Sequence, residues 1–208
     1  ERKKIITSLE PLSIVVKSLP SINEIAEGKI RVDDLREVSV KDLLGREIVK
    51  PNQQLLKINI TDKVILVTGA GGSIGSELCR QIFFLKPKKL IIFDISESSL
   101  YQIDQELTSF NIKKIQVIPV LGSVRDINRM EDIFNTYKVQ TIYHAAAYKH
   151  VPLVEYNQSE GVLNNVIGTL TIAEAAINSK VETFVLISTD KAVRPTNTMG
   201  ATKRASEL

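Results

Sequence analysis

Short apolar runs alternate with longer amphipathic segments from residue 63 to the end of the chain. The apolar runs, each predicted to be a strand, span residues 64–67, 90–93, 115–120, 141–143 and 184–187. The predicted helices span residues 73–85, the stretch up to 107, 127–137 and 159–177. Apolar runs without polar alternation are typical of strands covered on both faces. The strict alternation therefore predicts an α/β fold, a doubly wound parallel sheet of the Rossmann type with right-handed crossovers.

Residues 1–61 follow a different pattern. The predicted elements are strands at 13–17 and 38–40, a helical segment at 20–25, a helical turn at 42–45 and a linker at 51–54. Because these pieces are too short to bury a core alone, we expect a connector or part of a preceding domain that packs on something else. Residues 62–208 are predicted to form the doubly wound domain.

Composition narrows the range of partners. The formal net charge is +3, from 27 Lys and Arg against 24 Asp and Glu, and the longest basic run is only 86–89. This balance predicts no nucleic-acid partner. The single cysteine, Cys79, excludes a disulfide framework and is interpreted as a small hydrophobic residue. No metal site is predicted. No apolar run approaches the roughly 18 residues of a membrane span. The chain begins with Glu1 rather than Met, so we expect it to be a fragment of a longer protein.

A glycine cluster follows the first strand directly and opens the first helix. Gly69, Gly72 and Gly75 recur every three residues. This spacing allows a tight turn, a close approach to a pyrophosphate and close helix–strand packing, while amides such as those of Ser73 and Ile74 face the negative charge. A flexible turn is the alternative. The strand before and the helix after favour a dinucleotide site.

An acid stands where a dinucleotide site places its ribose contact. Asp94 ends the second strand, about 20 residues beyond the glycines. Capping the next helix is the alternative role, which Ser96 fills equally well. Repulsion between Asp94 and a 2′-phosphate favours NAD, although Ser96 leaves NADP possible. Ser123 and Val124 follow the third strand, where either an adenine contact or a structural loop is expected.

Small and polar residues follow the fourth strand. Ala145 and Ala146 let the backbone pass close to a cofactor over the carboxyl ends of the strands. His144 is interpreted as a packed core histidine rather than a catalyst. Lys149 and His150 either line a sugar pocket or belong to a surface loop.

An acid and two lysines follow the fifth strand. Asp190 and Lys191 share a pocket only if the strand has already ended, as the loop pattern at 194–197 indicates. Met199 and Lys203 lie four residues apart at the start of the next helix, and hence on one face. The alternatives are a solvated charge pair for the first two residues and a core filler for Met199.

Three segments together carry a family resemblance. They are Thr68-Gly69-x-x-Gly72-x-x-Gly75, His144 through Pro152, and Ser188 through Pro195 followed by Met199-x-x-x-Lys203. They resemble the nucleotide-sugar 4,6-dehydratases, which are extended short-chain dehydrogenase/reductases. The resemblance is to the membrane-anchored bacterial branch that acts on UDP-N-acetylglucosamine in polysaccharide synthesis, where methionine replaces the tyrosine of relatives. Residues 19–22 and 42–46 resemble the connector of that branch.

The resemblance implies a redox-neutral elimination on a UDP-sugar. Hydride leaves sugar C4 for NAD, water is lost across C5 and C6, and hydride returns to C6. The implied roles are a base at C5 (Lys191), an acid at the C6 hydroxyl (Asp190), a hydrogen bond to the 4-hydroxyl (Thr189), a nicotinamide-ribose contact (Lys203) and substrate contacts (Lys149, His150 and Asn197). The acid and base need shifted pKa values, which we expect from proximity and partial burial. Met199 cannot accept a proton, so removal of the 4-hydroxyl proton is expected to fall to Asp190, to Thr189 with a water, or to substrate-assisted transfer.

Two other functions stay open. A 4-epimerase with the same cofactor needs no acid and base for water loss, so the adjacent Asp190 and Lys191 argue against it, as does the missing tyrosine. A non-catalytic NAD-binding module is the second, because the chain is expected to be truncated before the substrate-binding lobe.

The resemblance also implies assembly and location. It implies a homo-oligomer, and attachment of the parent protein to the cytoplasmic side of the bacterial inner membrane through a segment absent here. The apolar stripe on the long helix is expected to pack mostly on the sheet; it consists of Leu163, Val166, Ile167 and Leu170.

Overall fold

A computed structural model describes residues 17–18, 36–37, 52–110 and 115–208. The chain divides into two compact units, residues 1–51 and 52–208. In the first unit, β1 (Lys17–Ser18) pairs antiparallel with β2 (Arg36–Glu37). The predicted elements at 13–16, 20–25, 38–40 and 42–45 lie outside the described residues.

The second unit begins with a helix where the sequence predicted a linker. Helix α1 (Gln53–Ile58) starts after Asn52, whose side-chain oxygen accepts hydrogen bonds from the backbone N–H groups of Gln54 and Leu55. Asparagine is a strong N-cap because it satisfies amides that have no partner within the helix. The prediction of a linker at 51–54 is therefore wrong from Gln53 onward, and the predicted boundary at 61 lies inside the second unit.

Five parallel strands form the sheet of this unit. They are β3 (Val64–Thr68), β4 (Lys89–Asp94), β5 (Gln116–Leu121), β6 (Thr141–His144) and β7 (Thr183–Leu186). Their order is β5-β4-β3-β6-β7. The chain steps outward from β3 to β5 and then crosses back to β6, so the strand order reverses between β3 and β6. The predicted doubly wound sheet is confirmed, and this reversal is where such sheets bind ligands.

Helices cover both faces of the sheet. They are α2 (Ser73–Phe84), α3 (Glu97–Ser109), α4 (Ile127–Tyr137), α5 (Val151–Tyr156), α6 (Gln158–Val162), α7 (Gly168–Asn178) and α8 (Thr198–Glu207). Successive strand residues point to opposite faces. Ile65 and Val67 accordingly pack with residues of α2 and α3, whereas Leu66 packs with residues of α4 and α7.

Burial differs between the central and the outer strands. All five residues of β3 are buried, as expected for a strand covered on both faces. In β5 only Val120 is buried, and all four residues of β7 are half-buried. The expectation of burial on both faces is therefore wrong for these two strands, which lie at the edges of the sheet. Pro119 fits an edge strand because proline cannot donate a ladder hydrogen bond.

The long helix predicted over 159–177 differs in shape and in orientation. Helices α6 and α7 are joined by a π-helical turn, Leu163–Ile167. Leu163, Ile167 and Leu170 are exposed, so the expectation that the apolar stripe packs on the sheet is wrong. The inward face carries small residues because neighbours come very close: a Cβ on Gly168 would lie 2.9 Å from Cγ2 of Val124.

Among the described residues, no helix is both long and apolar enough to cross a bilayer.

Candidate functional site

A cavity of about 770 Å³ lies at the carboxyl ends of the central strands. Most of the residues singled out in the sequence line it. They are Gly69, Gly72, Ser73, Ile74, Gly75, Asp94, Ser123, Val124, Ala145, Ala146, Lys149, His150, Thr189, Lys191, Met199 and Lys203. Asp190 and Asn197 are not among the lining residues. The fold thus brings the loops after β3, β4, β5, β6 and β7 around one space.

The glycine loop has the geometry of an anion cradle. Gly69 has a φ of +65°, a backbone conformation that residues other than glycine rarely adopt. Gly75 lies so close to the loop that a Cβ would be 1.9 Å from the carbonyl oxygen of Gly69. Gly72 is the N-cap of α2, and no side chain of the described region caps this helix. The first amides of α2 are therefore available to a negatively charged group at the cavity wall.

Asp94 links the glycine loop to the second strand of the βαβ unit. One carboxylate oxygen accepts a hydrogen bond from the N–H of Gly71 at 2.8 Å, and the other from the N–H of Ser96 at 2.8 Å. Ser96, rather than Asp94, caps α3 through the N–H of Ser99. Each carboxylate oxygen has a further lone pair. Asp94 can therefore accept a ribose hydroxyl at the cavity while it holds the loop.

His144 is a neutral histidine of the core. It is fully buried, with Nδ1 at 2.7 Å from the hydroxyl of Thr68 and Nε2 at 3.0 Å from that of Thr169. Burial lowers its pKa to about 3, and the charge of Lys203 adds to the shift. The ring thus joins β3, β6 and α7 through hydrogen bonds, in agreement with the interpretation from the sequence.

The strand-end turn places one lysine in the cavity and leaves its acidic neighbour in solvent. Thr189 caps a 3₁₀ turn, Asp190–Ala192, and donates a 3.0 Å hydrogen bond to the Asp190 carboxylate. The Lys191 ammonium lies 3.6 Å from the same oxygen. The Asp190 side chain is 90% exposed, so the expected partial burial is wrong for it. The hydroxyl of Thr189, then the charge of Lys191, lower the pKa of Asp190, which favours its ionised form.

Met199 and Lys203 occupy one face of α8, as their spacing predicted. Both are almost fully buried at the cavity wall. Burial lowers the pKa of Lys203, and the Glu207 carboxylate opposes that shift. Asn197, predicted to contact substrate, instead caps α8 by accepting a 2.8 Å hydrogen bond from the N–H of Gly200.

Two residues of the site received no role from the sequence. Tyr148 lines the cavity, and its peptide groups are held by the side chain of Asn165, which is fully buried in the π-helical turn. Two adjacent asparagines, Asn164 and Asn165, interrupt an otherwise apolar helical stretch. That interruption was the available signal, because asparagine is a poor helix former that is seldom buried without a specific partner.

Comparisons with a family model and with curated proteins agree with one another. A family model described as "Polysaccharide biosynthesis protein" matches residues 65–208. The chain is 47% identical over 190 residues to the capsular polysaccharide biosynthesis protein CapD of Staphylococcus aureus, covering 91% of this chain and 32% of that protein. It is 35% identical over 146 residues to a Campylobacter jejuni UDP-N-acetylglucosamine 4,6-dehydratase (inverting). It is 36% identical over 149 residues to a UDP-glucose 4-epimerase of Rickettsia prowazekii.

The matches to these proteins are partial. Both the dehydratase and the epimerase match 70% of this chain and 42% of their own length. The chain thus spans about a third of the length of CapD and about two fifths of the other two.

Solved structures share the fold. Pen from Bacillus thuringiensis aligns with a TM-score of 0.65 at 34% identity, over 72% of this chain and 46% of that one. The dTDP-glucose 4,6-dehydratase DesIV of Streptomyces venezuelae, solved with NAD and TYD bound, aligns with a TM-score of 0.59 at 24% identity. That alignment covers 70% of this chain and 49% of DesIV, and it shows a common fold.

Proposed function

Since the chain belongs to the polysaccharide biosynthesis family of nucleotide-sugar dehydratases and epimerases, within the extended short-chain dehydrogenase/reductases, we propose that it carries the cofactor site and catalytic residues of a UDP-N-acetylglucosamine 4,6-dehydratase. One observation carries the proposal: a single cavity joins the glycine cradle to Lys191 and Lys203. A cradle alone serves any dinucleotide protein, whereas a second lysine beside the cofactor suits removal of a carbon-bound proton.

NAD is the proposed cofactor. When bound, it accepts hydride from sugar C4 and later returns it to C6. The N-terminus of α2 would hold its pyrophosphate, Asp94 a ribose, Ser123 and Val124 the adenine, and Lys203 the nicotinamide ribose. The Asp94 carboxylate repels a 2′-phosphate, which favours NAD over NADP. DesIV, which shares this fold, was solved with NAD bound.

The chain's own residues would perform the proton transfers. Lys191, half exposed at the cavity, is the proposed base at C5. Asp190 is the proposed acid at the C6 hydroxyl. Because this carboxyl is exposed and its pKa is lowered, it acts as an acid only when bound sugar shields it from water and raises that pKa. Thr189 would donate to the 4-hydroxyl, and Lys149 and His150 would contact the sugar.

Product analysis tests the reaction. We would express these 208 residues, and the same residues with any flanking sequence that the gene encodes, and add UDP-N-acetylglucosamine in deuterated water. A dehydratase gives a 4-keto-6-deoxy product that is lighter by one water and deuterated at C5. An epimerase gives an isomer of unchanged mass, and a non-catalytic module binds NAD without product.

Substitution tests the base. Lys191→Ala should abolish deuterium exchange at C5, and exchange retained at the wild-type rate would eliminate Lys191 as the base. Lys57→Ala, at an exposed lysine on α1 outside the cavity, is the matched control and should leave exchange unchanged.

The 4-epimerase is retained as the second candidate. The Rickettsia epimerase and the Campylobacter dehydratase are similar to this chain to almost the same degree, 36% and 35%. Identity therefore does not separate the two reactions. The adjacent Asp190 and Lys191 favour elimination, because epimerisation requires no proton transfer at C5 or C6.

We further propose that the protein is a homo-oligomer and that it works at the cytoplasmic face of a bacterial inner membrane. Leu163, Ile167, Leu170 and Ile177 are exposed apolar residues of the same helical segment, and exposed apolar surface of this kind supports a contact between copies. Leu170→Glu should shift the mass measured by light scattering toward the monomer. An unchanged mass would remove this surface from the contact. The membrane location follows from the family resemblance.

A further inference from the structure

We propose that Tyr148 is a catalytic residue whose phenol oxygen takes the proton of the sugar 4-hydroxyl, and that Asn165 is the residue that positions it. The inference deepens the proposed function and rests on it. Tyr148 lines the same cavity as Met199 and Lys203 and is 42% exposed.

The Asn165 side chain is used entirely as a clamp. Its oxygen accepts hydrogen bonds from the N–H of Tyr148 at 2.8 Å and from the side chain of Asn164 at 3.2 Å. Its nitrogen donates to the carbonyl of Tyr148 at 3.0 Å and to the hydroxyl of Thr202 at 2.9 Å. An amide has two donor and two acceptor positions, so all four are filled. One buried side chain thus fixes the peptide groups on both sides of Tyr148.

The clamp joins Tyr148 to the helix that carries Met199 and Lys203. The hydroxyl of Thr202 donates in turn to the carbonyl of Met199 at 2.7 Å. The backbone carbonyl of Asn165 accepts from the hydroxyl of Ser206 at 2.7 Å, one turn further along α8. The position of Tyr148 relative to Lys203 is therefore set by buried and partly buried hydrogen bonds, although residues 145–150 form no helix or strand.

Core packing does not account for this arrangement. An exposed tyrosine contributes little to stability, yet its backbone is held by a buried amide in a π-helical turn. Such turns occur frequently at functional sites. With the backbone held, only the two side-chain torsions of Tyr148 remain free, which is the preorganisation that a reacting group requires.

The chemistry of the cavity requires a group of this kind. Oxidation of the C4 alcohol releases one proton from oxygen and one hydride from carbon. The thioether of Met199 cannot take that proton, and Glu160, which also lines the cavity, is paired with Arg125 at 3.0 Å. A phenolate at Tyr148 would take the proton while bound NAD⁺ takes the hydride, leaving a C4 ketone, a neutral phenol and NADH.

Kinetics of a conservative variant test the proposal. Tyr148→Phe leaves every clamp hydrogen bond in place, because these bonds use the backbone of residue 148. We expect kcat with UDP-N-acetylglucosamine to fall at least about 100-fold, with KM changed less than about threefold. Tyr156→Phe, at an 89% exposed tyrosine outside this cavity, is the control and should match the wild type. A Tyr148→Phe enzyme with wild-type kcat would overturn the proposal.

A double-mutant cycle tests the positioning role. If Asn165 acts through Tyr148, Asn165→Ala should lower kcat, and the double variant should be no slower than Tyr148→Phe alone. If the losses in kcat of the two single variants multiply in the double variant, Asn165 does not act through Tyr148. NAD affinity and thermal unfolding of each variant identify those that have lost the fold.

A single-turnover measurement keeps failure of this proposal distinct from failure of the proposed function. When UDP-N-acetylglucosamine is mixed with NAD-bound protein, the absorbance of NADH reports hydride transfer from C4, a step that a dehydratase and a 4-epimerase share. We expect Tyr148→Phe to slow this step at least about 100-fold. A wild-type protein that reduces NAD⁺ but makes no dehydrated product would contradict the dehydratase assignment and leave Tyr148 in place. Hydride transfer at the wild-type rate in Tyr148→Phe would overturn the role of Tyr148 whatever the reaction.

Discussion

Replacement of Gly75 by alanine perturbs the close approach of helix α2 to the glycine loop. The added Cβ would lie 1.9 Å from the carbonyl oxygen and 2.7 Å from the carbonyl carbon of Gly69, and 3.0 Å from Cα of Ala70. All three neighbours are backbone atoms, so no side chain can turn away. Restoring an ordinary contact of 3.4 Å to the oxygen requires a displacement of 3.4 − 1.9 = 1.5 Å. The N-terminus of α2 must therefore move from its place at the cavity.

The cost of this movement follows from two opposing effects. Overpacking costs about 1–3 kcal/mol, and rigid backbone neighbours place Gly75→Ala at or beyond the upper end. Alanine returns about 1 kcal/mol because it is the better helix former. We expect a net loss of about 2 kcal/mol, which for a unit of this size lowers Tm by roughly 4–8 °C. Misplacement of the amides of α2 should also weaken NAD binding at least about tenfold, or about 1.4 kcal/mol.

Thermal unfolding followed by circular dichroism and NAD titration by calorimetry measure the two effects. Gly72→Ala is the matched control for stability, because its Cβ would meet only the Gly69 oxygen, at 3.3 Å. Its φ of −74° suits any residue, so its Tm should stay within about 2 °C of the wild type, less than 1 kcal/mol. A Gly75→Ala protein with wild-type Tm and wild-type Kd for NAD would refute this account of the loop.

Three further predictions concern single titratable groups. His144 stays neutral when folded, with a pKa of about 3, whereas the unfolded residue is protonated below about 6.5; stability should therefore fall as pH decreases from 6.5 to 3, by up to about 1.4 kcal/mol per pH unit. Urea titrations of His144→Gln should lack this contribution, and an identical slope would contradict it. Asp94→Ser should weaken NAD binding about tenfold and raise the affinity for NADP relative to NAD; calorimetry that gives an unchanged ratio would contradict the ribose assignment. Burial raises the pKa of the Cys79 thiol to about 12, so thiol reagents should label it only on unfolding, and rapid labelling of native protein would show that this part of the core opens.

The sequence prediction was most accurate for features that are set by residues close together along the chain. The strands of the sheet were predicted because backbone spacing and apolar runs are local properties. The glycine cradle was predicted because its three glycines lie within seven residues. Met199 and Lys203 were placed on one face of α8 because the helical period alone sets that relation. The prediction of a linker at 51–54 was wrong for a local reason as well, because Asn52 was not recognised as the N-cap of a helix.

The sequence by itself determined the fold class, the strand-to-helix turn that forms the cradle, and many of the residues that line the cavity. Only the tertiary structure decided which side of the long helix is buried, that the side chain of Asp190 lies in solvent, and that Asn165 holds Tyr148. The physical reason is that periodicity sets the direction of a side chain relative to its own helix or strand. Burial depends instead on which other element packs against that face. The Asn165 bond to Thr202 spans 37 residues and the Thr68 bond to His144 spans 76, and no local pattern specifies such a meeting.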